Sequence, residues 1–591
     1  MGGKFGYHGQ WLRVDCSSGR GESIPLDEDA LRRFLGGSGL GAYLLLELGA
    51  ATVEPLSPEA PLAFVFSPLV GSPLTTSAKF AVVCKSPLTD RINDSLASSQ
   101  FALAGKRTGH DAIVLVGRAA EPSILVIDED QARLESARDL MGKSCPETQR
   151  LVREQLGPNY AVAAIGPAGE NLVRYATISH DGRHAGRGGS GAVLASKNIK
   201  AIAVRGRKTC RWAFPEELNR LSKNLSKKSL GPATAKYREL GTVSNLLLFN
   251  RMRMLPTRNF QQAEFEQAEA LSPQRIGEQR AKTQKSCAAC TIGCEHLFSL
   301  KDGEPAETRL EYENLFALGP LCGVGDPQMV LAASQRCDEL GLDVVSAGGT
   351  IAFAMECASR GLLDAPWLRF GDGQAMLKAL ELIARREGVG EFLAEGSRIA
   401  AGKIDGDSIA FAPQVKGLEI PGYEPRSMQA MALGFAVGTR GADHNRSGAY
   451  EVDFSEEVDR RDAGPEAAAS AVETEDRAAV MDSMILCKFL RGALDDYWAE
   501  TAEMLRLVVG WDMTVEELRR TARRIVSAKK LFNIRAGWTP DEDTLPDRFL
   551  DSPLPGDGAV LTRDRLGEMI RAYNLHRGWS AEGRLDEEAL R

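Results

Sequence analysis

Two hydrophobic periods divide the chain. Up to about residue 205, short apolar, β-branched runs recur between turn residues: Phe80 to Val83, Ala112 to Val116, Ile124 to Ile127, Tyr160 to Ile165 and Ala201 to Val204. Runs of this length bounded by Gly, Pro, Asn or Asp predict strands. After the charged stretch Arg205 to Trp212 the pattern becomes helical. At Thr514 to Asn533, Thr514 and Glu517 have capping-box spacing, and Leu518, Ala522, Ile525 and Leu531 behind them fall on one helical face. The pattern predicts an α+β protein: a β-rich base domain over 1–208, then two mainly helical domains over 209–412 and 413–591.

No apolar run approaches the roughly 18 residues of a membrane span. The opening MGGKFGYHGQWLRVD has no charged segment followed by an apolar one, so no export signal is read there. The eleven cysteines are odd in number and unaccompanied by a signal, which favours reduced thiols and a cytoplasmic protein. The 72 basic and 80 acidic residues leave a net charge of −8, so neither nucleic acid nor a membrane surface is an expected partner. The 59 glycines are about one residue in ten, against a background near 7%. They cluster at Gly36 to Ala42, Gly166 to Glu170 and Gly186 to Ala192, which implies tight turns or backbone pressed against a ligand. GGSGLGA does not read as a dinucleotide motif, because no strand precedes it and no acidic residue follows at the required distance.

The strongest chemical signal is Cys287, Cys290 and Cys294, a C-x2-C-x3-C. Zinc would be completed by a second CxxC or two histidines later in the chain; no second CxxC exists, and His296 is too close to serve. The three could also be small buried hydrophobes. An iron–sulfur cluster needs four thiolates and can draw the fourth from distant sequence, and Cys487 in DSMILCKFL is the candidate. The 4Fe–4S reading is favoured.

Around this motif stand further segments in a specific order. They are LRVDCSSG with RRFLGGSGLGAYLL, KSPLTDRINDS (Lys85 to Ser95), AGRGGSGAVLASKNIKAIAV (Ala185 to Val204) and DELGLD (Asp338 to Asp343). KGLEIPGYEPR (Lys416 to Arg426), RGADH (Arg440 to His444), DSMILC (Asp482 to Cys487) and LFNIRAGWTPDEDTLPDRF (Leu531 to Phe549) follow. In this order, over nearly the whole chain, it resembles the tungsten-containing aldehyde:ferredoxin oxidoreductases. The resemblance implies a tungsten (or molybdenum) ion held by two molybdopterin dithiolenes without a protein ligand, beside the 4Fe–4S cluster of Cys287, Cys290, Cys294 and Cys487. It makes Arg183, Gly186, Arg187, Gly188 and Gly189 part of a pterin-phosphate site, with Asn93 and the carbonyl of Ala185 binding a bridging magnesium. Asp338, Leu342 and Asp343, with Asp482 and Leu486, match the paired D-x-x-G-L motifs that contact the pterin rings.

Two positions depart from that pattern. Ile485 stands where glycine is expected, which predicts a changed backbone there, and Lys79 replaces an arginine, offering a point charge in place of a fork.

The resemblance further implies His444 as the residue that hydrogen-bonds the substrate carbonyl and Glu313 as the base, with Glu311 a weaker candidate. The reaction is RCHO + H2O → RCOO⁻ + 3H⁺ + 2e⁻, the electrons leaving through the cluster to ferredoxin. Homodimerisation and an accessory iron–sulfur subunit are family expectations. Two other readings stay open: a benzoyl-coenzyme-A-reductase-type subunit, if Cys322 faces the metal, and a non-catalytic electron-transfer subunit.

Overall fold

A computed structural model describes residues 5–300, 307–404 and 406–590. Residues 1–4, the start of the segment read above for an export signal, lie outside the described residues. Two six-stranded mixed sheets form the N-terminal part. In spatial order the first comprises Arg20–Pro25, Gln10–Asp15, Ala112–Val116, Leu62–Val65, Lys79–Lys85 and Ile92–Ser98. The second comprises Arg183–Ala185, Ile178–His180, Ala161–Ala164, Ile199–Arg205, Ser123–Asp128 and Gln131–Ser136. Four of the five predicted apolar runs lie within these strands, and Tyr160 to Ile165 overruns Ala161–Ala164 by one residue at each end.

The period-2 alternation decides what each face covers. Leu12, Val14, Phe64, Phe80, Val82, Ile113 and Leu115 of the first sheet share one core with Leu125, Ile127, Ile202 and Val204 of the second. The residues between them, Ala63, Val65, Ala81, Val83 and Val114, face the opposite way into the main core, which continues through the helical part. Helix Gly37–Glu47 lies on that face, so close that a Cβ at Gly41 would overlap Val83. GGSGLGA therefore starts a helix, and what precedes it is helix Glu28–Phe34 rather than a strand.

From Pro215 onward helices dominate. Thr514 caps helix Val515–Arg535 by accepting from Glu517 N–H at 3.1 Å, and Leu518, Ala522, Ile525 and Leu531 are buried. Two small β units interrupt the helices: a three-stranded antiparallel sheet of Lys282–Lys285, Glu295–Ser299 and Glu307–Arg309, and the hairpin Gln414–Val415 with Leu418–Glu419. The three motif cysteines occupy the loop between the first two strands of the former. Among the described residues no helix is long and apolar enough to cross a membrane.

The two D-x-x-G-L segments end helices in the same way. Gly341 closes Pro327–Leu340 at φ 75°, ψ 45°, and Ile485 closes Ala467–Met484 at φ 60°, ψ 49°. The expectation of a changed backbone at Ile485 is thus corrected: the left-handed cap persists, held by Ile485 and Leu486 N–H groups that both donate to Met481 O. The Ile485 side chain is fully buried, against Gly37. Left-handed backbone costs a residue of this kind about 1–3 kcal/mol, whereas truncating a buried isoleucine costs about 2–5 kcal/mol. Ile485→Gly is therefore expected to lower the thermal midpoint in calorimetry; a raised midpoint would mean that strain outweighs packing at this cap.

Candidate active site

A cavity of about 400 Å³ lies where the sandwich meets the helical part. Its lining draws together the motif segments: Lys79, Arg183, Gly186, Arg187, Cys287, Cys294, Glu313, Asp338, Leu342, Asp343, His444, Asp482 and Cys487 all face it. Six predicted residues do not. Asn93 and Ala185 are buried beside it, Gly188 and Gly189 form the turn beneath, Cys290 sits in the half-exposed loop, and Leu486 is in the hydrophobic core. The helix cap turns the Leu486 side chain into that core.

The turn at 186–189 is built for close approach. Gly188 and Gly189 have φ of 82° and 79°. A Cβ at Gly188 would overlap the Asn93 amide, and one at Gly189 the carbonyl of Arg174. Arg187 just before them adopts φ 37°, a strained conformation of the kind that gathers at functional sites. Its guanidinium donates to Ala442 O at 2.9 Å and lies 3.8 Å from Asp343 and 3.9 Å from Asp443. The Ala185 carbonyl accepts from Ser190 Oγ at 3.1 Å, and Asn93 Nδ2 is buried without a hydrogen-bond partner.

One carboxylate anchors the floor. Asp94, on strand Ile92–Ser98, meets Arg446 at 3.1 Å and Lys529 at 2.9 Å, while its main-chain carbonyl accepts from Arg440 at 2.7 Å. Burial opposes its charge, but Arg446, Lys529 and Arg440 hold its carboxyl well below the usual range. Arg446 also reaches Asp482 at 3.2 Å, and Asp482 pairs with Lys488 at 3.0 Å. Asp338 meets His184 Nε2 at 3.0 Å, and Asp343 caps helix Val344–Ser359 by accepting from Ser346 N–H.

The cysteine loop is stitched to the Cys487 segment by PLTTSAKF, Pro73 to Phe80, which carries Lys79. Thr76 N–H donates to Ala289 O at 2.6 Å, Thr76 Oγ1 accepts from Cys487 N–H at 3.3 Å, and Thr75 Oγ1 meets Thr291 Oγ1 at 2.7 Å. Arg183 donates to Cys287 Sγ at 3.1 Å and to Glu295 at 2.8 Å. Burial disfavours the charge on Lys79, yet Cys487, Cys287, Asp482 and Cys294 around it raise its pKa overall. The lysine thus faces the thiol group, a placement the sequence did not indicate. Burial pushes Cys290 up, and Cys487 and Cys287 nearby add to it. Four soft donors from two segments far apart in sequence suit an iron–sulfur cluster.

Glu313 and His444 face each other across the cavity, Oε1 to Nδ1 at 3.7 Å. At that separation they are not hydrogen-bonded, and neither atom has another hydrogen-bond partner. Glu313 lies in the first turn of helix Tyr312–Leu318, and its Oε2 accepts from Gly422 N–H at 3.1 Å. Tyr312 Oη donates to Gly422 O at 2.6 Å, so both main-chain polar groups of Gly422 are engaged. Burial raises the Glu313 carboxyl to about 7, against the Gly422 hydrogen bond and Arg187. Burial lowers His444 to about 4, although Asp443 opposes this. The imidazole, packed on the Tyr423 ring at 4.8 Å, is therefore neutral near pH 7. Glu311 lies at the rim and pairs with Arg183 at 3.3 Å. Cys322 is fully buried, its Sγ donating to Ala317 O at 3.3 Å, and does not line the cavity.

The lining fits a polar, phosphate-bearing cofactor. Arg187 Nε, Arg440 Nε and His184 Nδ1 are buried with no hydrogen-bond partner in the protein, and such groups are rarely left so unless something else satisfies them. Gly422, Tyr312, Tyr423, Thr75, Thr76, Asp94 and Lys529 were not singled out as site residues by the sequence. Gly422, Tyr423 and Asp94 fall inside motif segments, and Tyr312 stands between Glu311 and Glu313, which is the one signal that could have found them.

Residues 11–206 match the family model of the aldehyde ferredoxin oxidoreductase N-terminal domain, and residues 219–591 match that of domains 2 and 3. The tungsten-containing aldehyde ferredoxin oxidoreductase of Pyrococcus furiosus is 36% identical, over 99% of this chain and 98% of its own. The aliphatic sulfonate oxidoreductase, WOR-like subunit, of the same organism is 29% identical over 99% and 96%. The BamBC active-site complex of benzoyl-coenzyme A reductase, solved with 1,5-dienoyl-CoA, shares the fold at a TM-score of 0.84 and 24% identity, covering 99% of this chain and 97% of that one. With both family models matched and more than a third of residues identical along its length, the chain is an oxidoreductase belonging to the aldehyde ferredoxin oxidoreductase family.

Proposed function

We propose that the protein oxidises an aldehyde to the carboxylic acid at a tungsten (or molybdenum) bis-pterin centre, passing electrons singly through a 4Fe–4S cluster to a ferredoxin-type carrier. The observation that carries this reading is the Glu313–His444 pair, held 3.7 Å apart in a cavity that three of the four candidate cluster cysteines also line. An electron-transfer role alone would require no such pair. The burial of Cys322 away from the cavity removes the feature that kept a reductase of the benzoyl-coenzyme A type in view.

When bound, the metal–pterin centre supplies Lewis acidity and the two-electron oxidation. Arg187, Arg440 and Arg446 meet its phosphates and polar edges, Asp338, Asp343 and Asp482 accept from its ring N–H groups, and Asn93 with the Ala185 carbonyl holds magnesium. Cys287, Cys290, Cys294 and Cys487 ligate the cluster. Neutral His444 donates one hydrogen bond to the aldehyde oxygen as negative charge develops there. Ionised Glu313 accepts the proton released as water adds, a task suited to a carboxyl whose pKa lies near the working pH.

Because that base must be deprotonated, a raised pKa puts the acid limb of the rate profile near neutrality. Aldehyde-dependent viologen reduction should rise with pH through about 7 and then level. Glu313→Gln should lose that limb and at least ~100-fold in rate, with metal content unchanged. A wild-type profile in the variant would remove Glu313 from the mechanism. Cys487→Ala should abolish the low-temperature paramagnetic signal of the reduced cluster; an intact signal would remove Cys487 from its ligands.

A further inference from the structure

Strands Ile178–His180 and Arg183–Ala185 form a hairpin whose one face is cavity wall. Its register pairs Ile178 with Ala185 and Ser179 with His184. Side chains alternate along a strand, so Ile178 and Ala185 enter the sandwich core while Thr177, His184 and Gly186 line the cavity. Two of these carry polar groups that the protein leaves unserved. Thr177 is 1% exposed, and its Oγ1 has no hydrogen-bond partner. Both ring nitrogens of His184 are buried without an aligned hydrogen bond, although Nε2 lies 3.0 Å from Asp338 Oδ1.

The backbone joins this wall to the DELGLD segment. Thr177 N–H donates to Gly341 O at 2.9 Å, and Asp343 N–H donates to Tyr175 O at 3.0 Å. A Cβ at Gly186 would stand 3.6 Å from both Asp343 Oδ1 and Thr177 Cγ2. Thr177, His184, Asp338 and Asp343 thus present one edge rich in acceptors. Beside an acceptor-only carboxylate the imidazole proton belongs on Nε2, which leaves Nδ1 to accept. The nearby cations are already engaged, Arg183 by Glu295 and Glu311 and Arg309 by Glu295. Such an edge offers little to a phosphate, and an aldehyde has no N–H to give it. It suits the N–H-bearing rim of a fused heterocycle.

We infer that Thr177 and His184 are further binding residues for the ring system of a pterin, Thr177 through its hydroxyl and His184 through Nδ1. The inference rests on the bis-pterin reading above, and neither residue belongs to the motif segments that led to it. The two ring nitrogens divide the work: Nε2 steadies Asp338, and Nδ1 meets the cofactor. Buried polar atoms left unmade are costly, so the bound pterin gains from completing them and leaves more slowly.

Two replacements separate the nitrogens. Glutamine reaches the Nε2 position and keeps a donor for Asp338 without an acceptor at Nδ1, whereas asparagine reaches only the Nδ1 position. The experiment follows pterin released from anaerobically purified holoenzyme in mild denaturant, read as its fluorescent oxidation product, with iron counted on the same sample. His184→Gln and Thr177→Val should each release pterin about tenfold faster than the parent with iron unchanged. His184→Asn and Thr177→Ser should stay near the parent rate. Parent-like release from both His184→Gln and Thr177→Val would overturn the inference. Fast release from His184→Asn with parent-like release from His184→Gln would also overturn it, since the imidazole would then serve Asp338 alone. Thr177→Val, which keeps the side-chain shape, decides by itself if the histidine variants do not fold. A parent that holds its iron but no pterin would sink the cofactor reading and this inference with it; a pterin-loaded parent with unmoved variants sinks the inference alone.

Discussion

The structure depends on one buried carboxylate. Asp94 stands on a strand of the N-terminal sandwich, yet its partners Arg446 and Lys529 come from helices more than 350 residues further along the chain. Isolated, such a charge would not survive burial; paired, it costs several kcal/mol to break, since removing either partner strands the other. It thereby fixes the sandwich against the C-terminal helices at the level of the cavity floor. Arg446 passes the constraint to Asp482, and Asp482 passes it to Lys488. Everything above that floor, including the His444 turn and the Cys487 segment, takes its position from these pairs.

Much of this was legible in the sequence. The five apolar runs became strands because alternation and turn residues agreed, and helix Val515–Arg535 starts where Thr514 and Glu517 place its cap. Most residues given a site role face one cavity, since ordered motifs carry positions that local periodicity does not. What stayed hidden were contacts between segments. Nothing local to PLTTSAKF tells that Thr75 and Thr76 tie two cysteine segments together, or that Lys79 turns toward thiols. Gly422 was similarly invisible, because its role lies in its main chain: the N–H serves Glu313 and the carbonyl serves Tyr312. At Ile485 the residue rule misjudged the backbone. The helix cap and the packing against Gly37 outweigh the side chain's aversion to left-handed geometry.

Burial acts on the two candidate acid–base groups in opposite directions. It raises the Glu313 carboxyl to about 7 and lowers the His444 imidazole to about 4, so near pH 7 the imidazole is neutral and the carboxyl is poised between its two forms. A protonated imidazole there would lock into an ion pair with the carboxylate and hold the cavity shut to a weakly polar carbonyl. With the imidazole uncharged and the two groups just out of hydrogen-bonding range, a donor and an acceptor stay open to an incoming molecule.

The small sheet that carries the cysteine loop leads directly to Glu313. Its middle strand supplies Glu295 to Arg183 and Arg309, its third strand supplies Arg309, and helix Tyr312–Leu318 with Glu313 begins just beyond. The half-exposed thiol loop and the buried carboxyl are thus tied to one small sheet, so a substitution that shifts its strands disturbs both ends of the cavity.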